Sequence, residues 1–169
     1  LRLSIVSLLL LVTGCAGLPN YVEPQTGESS AGFKVKHDFD APILGYSTFV
    51  YVHTEEQTCG KSFGSESGAK LVVLDDSNPL ISELNPDGVK LAASKKYSFM
   101  IMSVAGMSNC IIYASFKPKA DEYYEMNVSG QLGAHSTHCK AELYRIDETA
   151  NIMSPVEFQY YGQCREPAE

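Results

Sequence analysis

The chain has 169 residues, of which 20 are acidic and 13 are Lys or Arg, giving a formal net charge of -7, with five cysteines and no tryptophan. A field of that sign excludes nucleic acid, or an anionic surface recognised through overall charge, as a partner. Residues 33–169 are enough for one domain that buries a real core of its own.

Taken in order, Leu3 to Val12 form an apolar run interrupted only by Ser4 and Ser7. At about ten residues it is too short for a membrane-crossing helix, which needs roughly 20. With Arg2 ahead of it, the run reads as the apolar centre of a signal peptide. It ends in Leu11-Val12-Thr13-Gly14-Cys15. The small residues Thr13 and Gly14 let an extended backbone enter a peptidase, and the Cys15 thiol is an atom that can be alkylated.

These five residues resemble the lipobox of bacterial lipoproteins, cut before the cysteine by signal peptidase II. The resemblance implies a signal peptide over residues 1–14, acyl chains such as palmitate on Cys15, and attachment to a membrane through that anchor. Ala16 stands where aspartate would retain such a protein at the inner membrane. The resemblance therefore implies the outer membrane, with the domain facing the periplasm or the cell surface. Each buried CH₂ contributes roughly 0.8 kcal/mol, so two or more acyl chains hold firmly where one is marginal.

Residues 16–32 are rich in Gly, Pro and Ser without hydrophobic period, which reads as a flexible tether following the acylated cysteine, over 15–32 in all. Its 17 residues would hold the domain on the order of 23 Å from the lipid.

From Phe33 onward the pattern alternates with period two. Strands are expected over 33–39, 48–52, 70–74, 89–92 and 97–104, with Asn85-Pro86-Asp87-Gly88 as a turn. Further strands are expected over 110–117, 122–130, 138–146 and 156–162. Short strands at this spacing predict an all-β fold, an antiparallel β-sandwich of immunoglobulin-like or transthyretin-like architecture forming a single domain over 33–169. The run from Cys110 through Phe116 and Pro118, then Tyr123-Tyr124 and two later cysteines, is similar to small β-sandwich lipoproteins without assigned activity.

With Cys15 set aside for lipid, Cys59, Cys110, Cys139 and Cys164 form an even set in an exported domain, so two disulfides are expected. A hairpin register pairing Phe116 with Tyr124, Ala114 with Met126 and Ile112 with Val128 puts apolar groups on one face. A second register pairs Leu143 with Tyr160, Ala141 with Gly162 and Cys139 with Cys164. It predicts a Cys139–Cys164 bridge and, by elimination, Cys59–Cys110, although four cysteines allow three connectivities.

Motifs for chemistry are sparse. His135-Ser136-Thr137-His138-Cys139 has ligand residue types but neither helical spacing nor an intervening glutamate, so no metal site is assigned. Gly64-Ser65-Glu66-Ser67-Gly68 lacks the order of a nucleophile elbow. There is no glycine-rich phosphate loop, and no cofactor is implied.

The registers above align Tyr113, Asn127, Glu142 and Tyr161 across one outward face, with Ser115, Glu125, Tyr144 and Gln159 in the next row. Tyrosines beside Asn, Glu and Gln suit stacking on a sugar ring or anchoring a protein. The expected role is non-enzymatic, binding an envelope protein or contributing to an envelope structure. The alternative is a glycan-binding module or an inhibitor of a wall-degrading enzyme.

Overall fold

The computed structural model describes residues 18–41, 45–53, 68–76, 78, 80–133, 137–147 and 149–163. These form ten strands, with no helix among the described residues: β1 (Ser30–Asp40), β2 (Ser47–His53), β3 (Gly68–Asp75), β4 (Val89–Ala92), β5 (Tyr97–Ala105), β6 (Ser108–Phe116), β7 (Tyr123–Leu132), β8 (Thr137–Asp147), β9 (Ile152–Pro155) and β10 (Gln159–Gln163). One sheet runs β4-β1-β7-β8-β9 and the other β10-β6-β5-β2-β3. The first will be called the polar sheet and the second the apolar sheet, after their outer faces.

The inward positions recur with period two. Phe33, Val35, Tyr124, Met126, Val128 and Leu143 point in from the polar sheet, and Val50, Phe99, Ile101, Ile112 and Phe116 from the apolar sheet, all buried. Four rings hold the middle: Phe33 against Phe99 at 5.2 Å, Phe99 against Phe116 at 5.6 Å, and Phe116 against Tyr124 at 5.2 Å between centroids. Aromatic pairs at such distances add about 0.5–1.5 kcal/mol each beyond their buried area.

A two-sheet, all-β sandwich is therefore what the alternation predicts, but the strand neighbours differ from the expected ones. β1 pairs with β7 in parallel, from Gly32 opposite Tyr123 to Asp40 opposite Gln131, so the sandwich is not wholly antiparallel. The expected hairpin of 110–117 with 122–130 does not form. β6 lies between β5 and β10, while β7 lies in the other sheet. Phe116 and Tyr124 still meet, but from opposite sheets across the interior, with their rings inclined at 59°. A shared inward face is satisfied equally by strands side by side and by strands in opposite sheets, and here the chain crosses over through residues 117–122.

The expected pairing of 138–146 with 156–162 fails for a related reason. β9 takes the free edge of β8, with Tyr144 opposite Pro155, and β10 then crosses to pair with β6. Proline is tolerated there because an edge strand leaves one row of N–H groups unused. Cys139 consequently faces β6, and the disulfide formed is Cys110–Cys139, with Cα atoms 6.2 Å apart, in place of Cys139–Cys164 and Cys59–Cys110. It joins the two sheets. Cys59 and Cys164 lie outside the described residues.

Gly130 makes the approach at this place possible. It stands opposite Cys139 with φ +152°, and a Cβ there would sit 2.1 Å from the His138 carbonyl oxygen. Only glycine tolerates both conditions.

The N-terminal arm also departs from expectation. Asn20 forms a parallel bridge with Lys70 on β3, through Lys70 N–H to Pro19 O and Tyr21 N–H to Lys70 O, both 2.8 Å. Tyr21 packs edge-on to Tyr97, and its hydroxyl lies 3.3 Å from that of Tyr97. Lys90 N–H then donates to Glu23 Oε1 at 3.0 Å, and Ala93 N–H to Ser29 O at 2.8 Å. The arm thus crosses from the β3 edge of one sheet to the β4 edge of the other, and β1 begins at Ser30. Residues 19–29, expected as a flexible tether, are thus bonded to both sheets ahead of β1, because these bonds and the Tyr21 contact outweigh a composition that suits a loop.

Candidate functional site

The expected binding face divides between the two sheets. Asn127 stands opposite Glu142, and Glu125 opposite Tyr144, on the outer face of the polar sheet, as the alignment predicts. Tyr113 belongs to the other sheet, where it pairs with Gly162, beside Tyr161 at a bulge. The structure therefore brings Asn127, Glu142 and Tyr144 together and separates them from Tyr113 and Tyr161. Tyr113 is 6% exposed, and burial pushes its phenol pKa up.

Charge is the character of the polar sheet's outer face. Lys36 Nζ meets Glu125 Oε2 at 2.7 Å, and Lys140 Nζ meets Glu142 Oε2 at 3.0 Å. The Lys140–Glu142 pair, exposed on both sides, contributes about 0–1 kcal/mol, whereas the Glu125 carboxylate is buried, 7% exposed, and Lys36 reaches it from the solvent side.

The opposite outer face is different. Phe49, Met102 and Ile111 form one cross-strand row on β2, β5 and β6, and Tyr51, Met100 and Tyr113 form the next. Met100 and Tyr113 are buried, while Phe49, Tyr51, Met102 and Ile111 are half-buried. β5 is thus apolar on both sides. The signal was available in Tyr97-Ser98-Phe99-Met100-Ile101-Met102-Ser103-Val104, where methionines occupy the positions that alternation reserves for polar residues.

Two cavities open at the pole where β1, β3, β5 and β7 begin. One, of about 720 Å³, is roofed by the arm, with Val22, Pro24, His53, Lys95, Lys96 and Tyr97 among its walls. His53 is buried against Gly68, where a Cβ would come within 2.7 Å of the imidazole ring, and burial lowers its pKa. Burial, reinforced by Tyr97, pushes the Tyr21 phenol pKa upward. The second cavity, of about 470 Å³, is lined by Asp121, Glu122, Tyr123, Arg145, Ile146, Asp147 and Thr149, with Arg145 Nη1 3.4 Å from Glu122 Oε1.

A polar chain crosses between the sheets towards the Met107 turn: the half-buried His37 Nδ1 lies 3.0 Å from Thr48 Oγ1, which lies 2.9 Å from Ser103 Oγ. Ser103 is 1% exposed, so this chain is a satisfied interior network rather than an accessible nucleophile. Cys139 is committed to the disulfide and cannot serve His138 as a thiolate co-ligand. Cys15 and His135 lie outside the described residues. Among the described residues no group of three His, Cys, Asp or Glu could hold a metal ion.

These features define a class, a two-sheet β-sandwich domain with a disulfide between its sheets and one apolar outer face. Comparison with protein-family models, curated proteins and solved structures gives no match. The functional reading therefore rests on the chain's own residues.

Proposed function

We propose that this chain is a lipid-anchored protein of the bacterial cell envelope, attached to the outer membrane through Cys15, whose sandwich domain has a non-enzymatic binding or structural role. Two features support export and anchoring: the Leu11–Cys15 motif, and the Cys110–Cys139 bridge, a bond that persists in oxidising compartments. Replacing Cys15 with Ser tests this part. The protein should leave the membrane fraction and lose the mass of its acyl chains; an unchanged mass and distribution would refute the anchor.

The binding part rests on one observation, the apolar outer face built on Phe49, Met102 and Ile111. Its occupant is an envelope protein, because an apolar row rimmed by tyrosine suits a protein anchor. A photoreactive side chain at position 111 should give an adduct with one protein in intact cells, and the same group at position 127 on the polar sheet should not. Equal labelling from both positions would refute the assignment.

A glycan is the second reading, favoured by the cavity of Asp121, Tyr123, Arg145 and Asp147, which offers an aromatic ring beside carboxylates and a guanidinium. Sedimentation with peptidoglycan and inhibition of lysozyme distinguish it. Within the sandwich class, the immunoglobulin-like or transthyretin-like assignment is likewise a proposal, and a disulfide between facing sheets supports the former.

A further inference from the structure

We infer that the pole carrying both cavities faces the phospholipid headgroups, with the opposite pole, at the Met107 turn, pointing away from the membrane. This rests on the reading of Cys15 as the lipid anchor, and it follows from where the docked arm begins.

Among the described residues the arm is first bonded at Pro19, whose carbonyl accepts from Lys70. Only Ala16, Gly17 and Leu18 separate it from Cys15. Four residue steps of extended chain reach at most about 14 Å. A tether free to residue 32 would allow the domain to tumble; one free only to residue 18 does not.

Direction follows from the bridge. Asn20 pairs with Lys70 in parallel, so the chain before Asn20 runs back towards the end at which β3 starts, at Gly68. Gly68 is level with His53 and Ser98 in the apolar sheet. In the other sheet the same end carries Ala92, opposite Ser30, and Tyr123, opposite Ile146. Ser94 N–H donates to Pro118 O at 3.0 Å, which ties the turn after β4 to the turn after β6. With at most about 14 Å of chain between Cys15 and Pro19, an anchor at Cys15 holds the lipid on the side of the domain towards which residues 18–19 run, which is this pole.

The surface presented there fits a headgroup layer. Val22 is 84% exposed at the rim of the larger cavity, next to Pro24. Lys95, Lys117 and Lys119 are exposed on the two linked turns, beside Lys96, whose ammonium donates to Gln159 Oε1 at 3.0 Å. Lipid phosphates suit these ammonium groups. Glu23, Asp121 and Glu122 stand at the same pole, so the tether, not the field, sets the orientation. β5 runs from one pole to the other over nine residues, which places Met107, 102% exposed, roughly 27 Å further from the lipid.

The absence of tryptophan permits a direct test. Val22→Trp and Met107→Trp each place a single indole at an exposed site. The acylated full chain would be reconstituted into vesicles of phosphatidylethanolamine and phosphatidylglycerol carrying dansyl headgroups, and energy transfer from each indole measured. Transfer from position 22 should exceed that from position 107 several-fold. A flexible Gly/Ser insertion between Gly17 and Leu18 should bring the two signals together. Equal transfer without the insertion, or a difference that survives it, overturns the inference. The anchor reading is judged separately, by the acylated mass and by flotation of the protein with the vesicles.

Discussion

The rings of Phe116 and Tyr124 lie 5.2 Å apart, one on each sheet, and this contact is where β6 and β7 meet across the interior. Phe116 also packs on Phe33 and Phe99. Phe116→Ala should therefore lower stability by about 3–5 kcal/mol, measured by urea unfolding. A loss below about 1 kcal/mol would place the ring outside the core.

The inter-sheet disulfide makes a prediction about connectivity. A non-reducing peptide map should recover Cys110 joined to Cys139. Replacing both with Ser should cost about 2–4 kcal/mol, since the bridge spans a separation of 29 residues. Recovery of a Cys139–Cys164 peptide would instead restore the hairpin of β8 with β10.

For the arm, Tyr21→Ala should lower stability by about 1–3 kcal/mol and open residues 18–28 to proteolysis. The edge-on contact with Tyr97 would be lost, and with it what holds the arm beside Lys70. A free tether would show neither effect.

Acid should weaken the fold through two imidazoles. Burial lowers the pKa of His37, against the opposing pull of Asp76, Glu83, Asp75 and Asp38, and burial alone lowers that of His53. Unfolded histidines take up protons near pH 6.5, while the folded ones wait for a lower pH. The unfolded chain then binds more protons in that window. The contribution is therefore complete above about pH 6.5 and is lost as pH falls towards the folded pKa. The urea midpoint should drop between about pH 7.5 and about pH 5.5, and His37→Gln and His53→Gln should each flatten that slope. Variants that keep the parent slope would show that these rings do not drive it.

Gly130→Ala should destabilise by about 1–3 kcal/mol, because a methyl group would press on the His138 carbonyl at a backbone angle that side chains avoid. Thermal unfolding of this variant, compared with Gly106→Ala in an open turn where a Cβ meets nothing within 4 Å, separates crowding from backbone strain.

Period-two alternation identified nine of the strands and which residues point inward, because burial on one face is written into each segment by itself. Neighbourhood is written nowhere locally. Ile112 and Val128 belong to the same core whether their strands are adjacent or opposed, so the expected hairpins were consistent with the pattern and still incorrect. The Asn127–Glu142 register was legible, since Gln131 to Thr137 is short enough to bring β7 and β8 together. The arm was not, because Pro, Gly and Ser composition describes a segment's own preference and is silent about an edge strand waiting to bond it. Of the candidate face, Asn127, Glu142 and Tyr144 stay together, while the apolar rows lie at outward positions, which period-two alternation assigns to solvent.

The parallel pairing of β1 with β7 has a consequence for synthesis. Among the described strands β1 comes earliest in the chain, yet one of its two neighbours is residues 123–132. Contacts so distant in sequence form late, because loop closure must be met before they contribute. Until most of the chain has left the ribosome, β1 has one side unbonded, and the sandwich cannot close.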